Sequence, residues 1–169
     1  MDKKELVARA RLAKEAAKAD AHKADVLAKE IYGWAEKLRR VSVISNLSYA
    51  MSGSIRDEVR QMEIDCAKVA YRSDVLAERS WDKAKDLAKT AAVQCGVAIA
   101  AARSSSEVER LTGSVRAAEE AMRKVEEVVA ELEERCASLS RFVGLAVRKM
   151  ADIRARAEAA LLAQRKAAE

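Results

Sequence analysis

Along most of the chain, apolar residues recur at alternating steps of three and four. Val108, Leu111, Val115, Ala118, Met122, Val125, Val129, Leu132, Cys136, Leu139, Val143, Ala146, Met150, Ile153, Ala157 and Ala160 keep that spacing without a polar member. This is the a and d pattern by which long helices pack along a shared seam. Ala121, Val128, Phe142, Leu145 and Val147 lie beside it, and a stripe widened in this way predicts contact with two helices. In the first segment Leu6, Ala10, Ala13, Ala17, Ala24, Leu27, Ile31, Trp34, Leu38 and Val41 hold the register, interrupted by Asp20. Alanine at so many inward positions lets backbones come close, so this part should be slender. The middle segment begins with Ile55, Val59, Met62, Cys66, Val69, Ser73 and Leu76, shifts phase near Ser80 and resumes with Ala84, Leu87 and Ala91. Such a shift is the mark of a stutter.

Two serine-rich interruptions divide the pattern. Ser52-Gly53-Ser54 is the first, with Ser54 and Asp57 resembling a capping box; Ser104-Ser105-Ser106 is the second, with Ser106 and Glu109 matching S-x-x-E. In that arrangement hydroxyl and carboxylate satisfy orphan N–H groups reciprocally. The predicted helices are 3 to 51, 55 to 103 and 107 to 167, forming one domain over residues 1–169. Short connections make sequential helices antiparallel. The expected fold is therefore an all-α, elongated antiparallel three-helix bundle with coiled-coil-like packing.

Composition strengthens this expectation. The chain has 169 residues and no proline, where ordinary usage would give about eight, and proline is the strongest breaker of helix interiors. Roughly a fifth of the residues are alanine, the best helix former. Aromatic content is 4%, with Phe142 the only phenylalanine, so little bulk is available for a wide core. The net charge is +5, but acidic and basic residues are interleaved rather than clustered as a nucleic-acid binder would have them. Residues 107 to 134 lean acidic and 141 to 166 lean basic, as expected of a solvated helix surface laced with i,i+4 pairs. No nucleic-acid partner is expected.

The residues that carry chemistry are sparse. His22 is the only histidine, which removes two-His metal sites, and it sits on a polar helix face. The five glycines, at 33, 53, 96, 113 and 144, are isolated, so no phosphate-cradling loop can form. Cys66, Cys95 and Cys136 form no C-x-x-C and fall at different levels of the expected bundle. Free buried thiols are the expectation. No catalytic, metal or cofactor site is expected, and the protein is read as a non-enzyme. Asn46-Leu47-Ser48 is an N-glycosylation sequon at the only asparagine, relevant in a secreted protein. It lies in the β-branched, serine-rich stretch 41 to 51, for which two readings stand: a helix end held by packing, or an irregular head whose exposed surface includes Val43, Asn46, Tyr49 and Met51.

The chain opens Met-Asp-Lys-Lys-Glu without an apolar leader, and no run approaches the ~18 apolar residues of a membrane span. Either a cytosolic protein or a mature domain lacking its targeting segments is expected.

Leu38-Arg39-Arg40-Val41-Ser42-Val43-Ile44, followed by Tyr49 and by Ser54 to Glu58 with Val59, resembles a segment of the haptoglobin–haemoglobin receptor of African trypanosomes. The alanine-rich helices with scattered Lys and Glu resemble the wider group of trypanosome surface glycoproteins, including the glutamic acid/alanine-rich protein. The specific likeness covers about residues 35 to 75; beyond them it is one of composition. It implies a GPI-anchored ectodomain on a parasite cell surface, joined to the plasma membrane by a lipid anchor outside this sequence and meeting a host or vector protein. The cysteine that the receptor family places before the Leu-x-x-Val-Ser segment is replaced near Tyr32 or Gly33, so its disulfide pattern does not carry over; no ligand-binding residue is transferred, because no position matches one.

Three functions follow as expectations. The first is a non-enzymatic surface coat glycoprotein, a narrow rod of which many copies fit on a membrane. The second is a receptor for a host protein such as a haemoglobin complex, which an exposed apolar patch with aromatic anchors would favour; Tyr32, Trp34 and Tyr49 lie in the right half of the molecule, but Trp34 is in register with the core stripe. The third is a cytosolic coiled-coil scaffold, favoured by the absent leader and by three unpaired cysteines in a reducing compartment.

Overall fold

A computed structural model describes residues 2–41, 53–104 and 108–169. Within them the chain is all-α: α1 is Lys3–Arg40, α2 is Gly53–Arg103 and α3 is Val108–Ala168, packed as a three-helix bundle. The α1 start is set by Asp2, whose carboxylate accepts from the Lys4 N–H and whose carbonyl accepts from Leu6. Asp2 with Glu5 is itself a capping pattern. After Arg40 the Val41 N–H is shared between the Lys37 and Leu38 carbonyls. The predicted extension of the first helix to 51 falls in residues outside the description, as do Ser106 and the turn at 105. Ser54, expected as a cap, lies inside the first turn of α2.

The chain clusters into two compact units, residues 1–29 with 76–135 and residues 30–75 with 136–169. In the first unit, the start of α1, the end of α2 and the start of α3 share one level. Leu6 and Ala10 pack with Cys95, Ala98, Ala101, Leu111 and Val115, and the Lys3 ammonium donates to the Ser104 carbonyl at 2.8 Å. The α1/α2 pair is therefore antiparallel and the α1/α3 pair parallel. Arg9 of α1 binds Glu119 of α3 across the parallel pair.

The seam between α1 and α2 in this unit is built of alanine. Ala10, Ala17, Ala24 and Ala28 of α1 and Ala77, Ala84, Ala91 and Ala98 of α2 are wholly inaccessible. Bulk comes from α3, through Leu111, Val115, Val125, Val129 and Leu132. Its neighbouring line of Ser114, Ala121 and Val128 is buried as well, so the widened stripe contacts both other helices.

The second unit distributes its bulk over all three helices: Ile31 and Leu38 from α1, Ile55, Val59 and Met62 from α2, and Leu139, Val143, Met150 and Ile153 from α3. Arg39 binds Asp74 across α1 and α2, and Arg156 binds Glu58 across α3 and α2 at 2.9 Å. These pairs are half exposed, and such pairs contribute only ~0.2–1 kcal/mol each. They set register more than they stabilise.

Four details of the predicted stripes are corrected. In α1, Leu27 and Trp34 are half-buried, while their neighbours Ala28 and Ala35 are fully buried. A helix of 3.6 residues per turn drifts by about 20° per heptad against a strict 3.5 repeat, which turns the line of Ala28 and Ala35 inward in place of Leu27 and Trp34. In α2 the phase change occurs between Cys66 and Ala70 rather than at Ser80, leaving Val69, Ser73 and Leu76 half-buried and placing Ala70, Ala77 and Ala84 inward. In α3, Leu145 and Val147 point to solvent, at 62% and 50% exposure. There the helix buries only its narrow a and d line. Val108, at the head of the α3 stripe, is exposed, because it is the first residue of its helix.

Candidate functional site

Val43, Asn46, Tyr49 and Met51 lie outside the described residues, and with them the sequon. The other aromatic candidates do not make an exposed patch. Tyr32 and Trp34 are half-buried, and the Lys37 ammonium lies 4.3 Å from the Trp34 ring centre. The second unit instead exposes Ile64 and Tyr71, one heptad apart on α2, with Tyr71 69% accessible. Both are off the apolar register, and that offset is the sequence signal by which they could have been found.

The three cysteines are buried free thiols. In the second unit, burial pushes the Cys66 thiol above its ordinary value, nearby Asp65 adds to this, and Lys149 opposes it. Burial likewise raises Cys136, helped by the charge of Glu30 and its hydrogen bond, with a hydrogen bond to Trp34 acting the other way. Such thiols hold their protons at neutral pH and are poor nucleophiles. His22 is exposed. Among the described residues no group of three His, Cys, Asp or Glu side chains is placed to hold a metal ion, and no helix is long and apolar enough to cross a membrane.

Two grooved stretches of surface lie between α1 and α2 in the first unit. One stretch, of about 260 Å³, has a floor of Ala21, Ala88 and Ala92 between Lys14 and Lys18 on one side and Lys85 and Lys89 on the other. A second stretch, of about 300 Å³, is lined by Lys3, Lys4, Val7, Ala8, Arg11 and Ala102. No acidic side chain lines either. Lys85 pairs with Asp82 at 3.1 Å and covers the Trp81 ring at 4.1 Å; Lys14, Lys18 and Lys89 make no ion pair among the described residues. The small floor follows from the alanine seam, which brings the two helices together and leaves long lysine stems as the walls. This groove was not foreseen from sequence, because its lysines come from segments some seventy residues apart. No protein-family model, curated protein or solved structure matches the chain.

Proposed function

We propose that the protein is a non-enzymatic surface coat glycoprotein ectodomain, carried on a parasite cell membrane by a lipid anchor outside this sequence. The observation that carries this reading is the alanine seam of the first unit, where Ala17, Ala24, Ala84 and Ala91 are wholly buried. Helices that meet through methyl groups occupy little cross-section, which suits a molecule displayed in many copies on one surface. The resemblance of residues 35 to 75 to the trypanosome receptor segment, and of the whole composition to alanine-rich surface glycoproteins, supports the same conclusion. So does the sparsity of groups able to do chemistry.

Localisation in intact cells tests it. Antibody staining without permeabilisation, lost after phosphatidylinositol-specific phospholipase treatment, is the expected result, together with a cleavable leader and a hydrophobic tail in the complete reading frame. Cytoplasmic staining with neither segment would overturn it in favour of the scaffold, to which the three free thiols lend support. A receptor for a host protein such as a haemoglobin complex is the second reading, favoured by exposed Ile64 and Tyr71. Binding abolished by Tyr71→Ala would establish it.

A further inference from the structure

We infer that the first unit carries two complementary faces by which copies of this chain pack side by side. One face is the lysine-walled groove of Lys14, Lys18, Lys85 and Lys89. The other is an acidic ridge on α3, formed by Glu127, Glu131 and Glu134 with Ala130 among them. These positions are related by steps of three, four and seven, so they share one helix face, and all are exposed. Between Val125 and Glu134 the sequence contains five glutamates and no cation; Lys124 and Arg135 bound the stretch, and Arg123 is held by Glu120 at 2.7 Å. Glu127, Glu131 and Glu134 make no ion pair among the described residues.

The two faces are offset along the helix axis. Leu6 and Ala10 of α1 pack with Leu111 and Val115 of the parallel α3, so Lys18 is level with residue 123 and the ridge begins four residues beyond it. Val128 and Val129 are buried toward α1 and α2, whereas the glutamate ridge faces away from them. A neighbouring copy displaced sideways without rotation, and slipped by roughly two helical turns along the axis, presents its glutamates to the lysines of the first. The alanine floor lets Ala130 of the incoming ridge approach closely. Such a contact joins two different surfaces and leaves each copy with one free groove and one free ridge, so it propagates into rows instead of closing as a dimer. The ridge spans only about two turns, so the contact is weak in dilute solution, sensitive to salt, and effective where copies are held at high local concentration.

The occupant of the groove is therefore a second copy. This inference rests on the first unit alone and not on where the protein resides, so it can fail or stand separately from the coat reading. The test is sedimentation of the purified chain at high concentration in about 0.02 M and 0.5 M salt, where screening lengths are on the order of 20 and 4 Å. Concentration-dependent association at low salt that disappears at high salt is expected. The quadruple variant Lys14→Glu, Lys18→Glu, Lys85→Glu, Lys89→Glu, and the triple variant Glu127→Lys, Glu131→Lys, Glu134→Lys, should each associate at least about tenfold more weakly, the loss expected from three exposed pairs. An equal mixture of the two should associate again, because each supplies the face the other lacks. Helix content by circular dichroism confirms folding of both. A chain that stays monomeric at low salt, association indifferent to salt and to both variants, or a groove that binds heparin without self-association would each overturn the inference.

Discussion

The two units reach a buried core by opposite means. In the first, α1 and α2 meet almost wholly through alanine and α3 supplies the large side chains; in the second, isoleucine, leucine, valine and methionine come from every helix. Transfer free energy scales with apolar area, about 0.8 kcal/mol per buried CH₂ and ~1.5–3 kcal/mol for a whole aliphatic side chain. A residue of the second core therefore contributes more by leaving water, while a residue of the alanine seam contributes mainly by permitting close approach. The same chain shows that a slender bundle segment is made by what is omitted from a seam as much as by what is placed in it.

The sharpest way to test this contrast is truncation in the second unit. Ile153 is wholly buried, and Ile153→Ala should cost about 2–5 kcal/mol, the lost transfer term plus a cavity, read as a lower urea midpoint. The first unit should respond to the opposite change. Ala84 is wholly buried in the seam, so Ala84→Leu should destabilise by about 1–3 kcal/mol through overpacking. A Leu accommodated at no cost would show that α1 and α2 are not held in close contact, and the distinction between the units would fail.

Glycine provides a smaller probe of both. A Cβ added at Gly96 or Gly144 meets nothing within 4 Å, and neither has a positive φ. Gly96→Ala and Gly144→Ala should each raise stability by about 0.5–1 kcal/mol, through helix propensity and a less flexible unfolded chain. A loss at either position would reveal a close neighbour. The smallest effect concerns the second unit's thiols. Cys66 and Cys136 keep their protons to higher pH than they do in the unfolded chain. Their contribution is fully present below the ordinary thiol value and is lost as pH rises through the raised one. Alkylation of both should therefore be slow at neutral pH and rise on the alkaline side together with a falling melting temperature. Rapid labelling of the native protein at pH 7 would contradict their burial.

The α3 stripe shows how far periodicity carries. Leu111, Val115, Val125, Leu132, Leu139, Val143 and Ile153 are buried as their spacing predicts, because on a long regular helix position in the heptad decides which side faces its neighbours. Trp34 and Ala35 show where it stops. Both are apolar and adjacent, and the choice between them depended on the drift of the helix against its strict repeat. The candidate surface was less legible still. Val43, Asn46, Tyr49 and Met51 were selected on local composition, whereas the groove joins Lys14 and Lys18 to Lys85 and Lys89, a set that no local pattern connects.

The amino-acid sequence by itself determined that the chain is helical, where two of its helix starts fall and which broad face of each helix is apolar. Those properties depend on intrinsic propensity, on the absence of proline and on interactions within a few turns. Tertiary structure decided the division into an alanine-seamed unit and a bulkier one, the point at which α2 changes phase, and the meeting of lysines from α1 and α2 in one groove. Each of these depends on the register between helices, which is set by side chains packing together from distant parts of the chain, as Leu6 and Leu111 do.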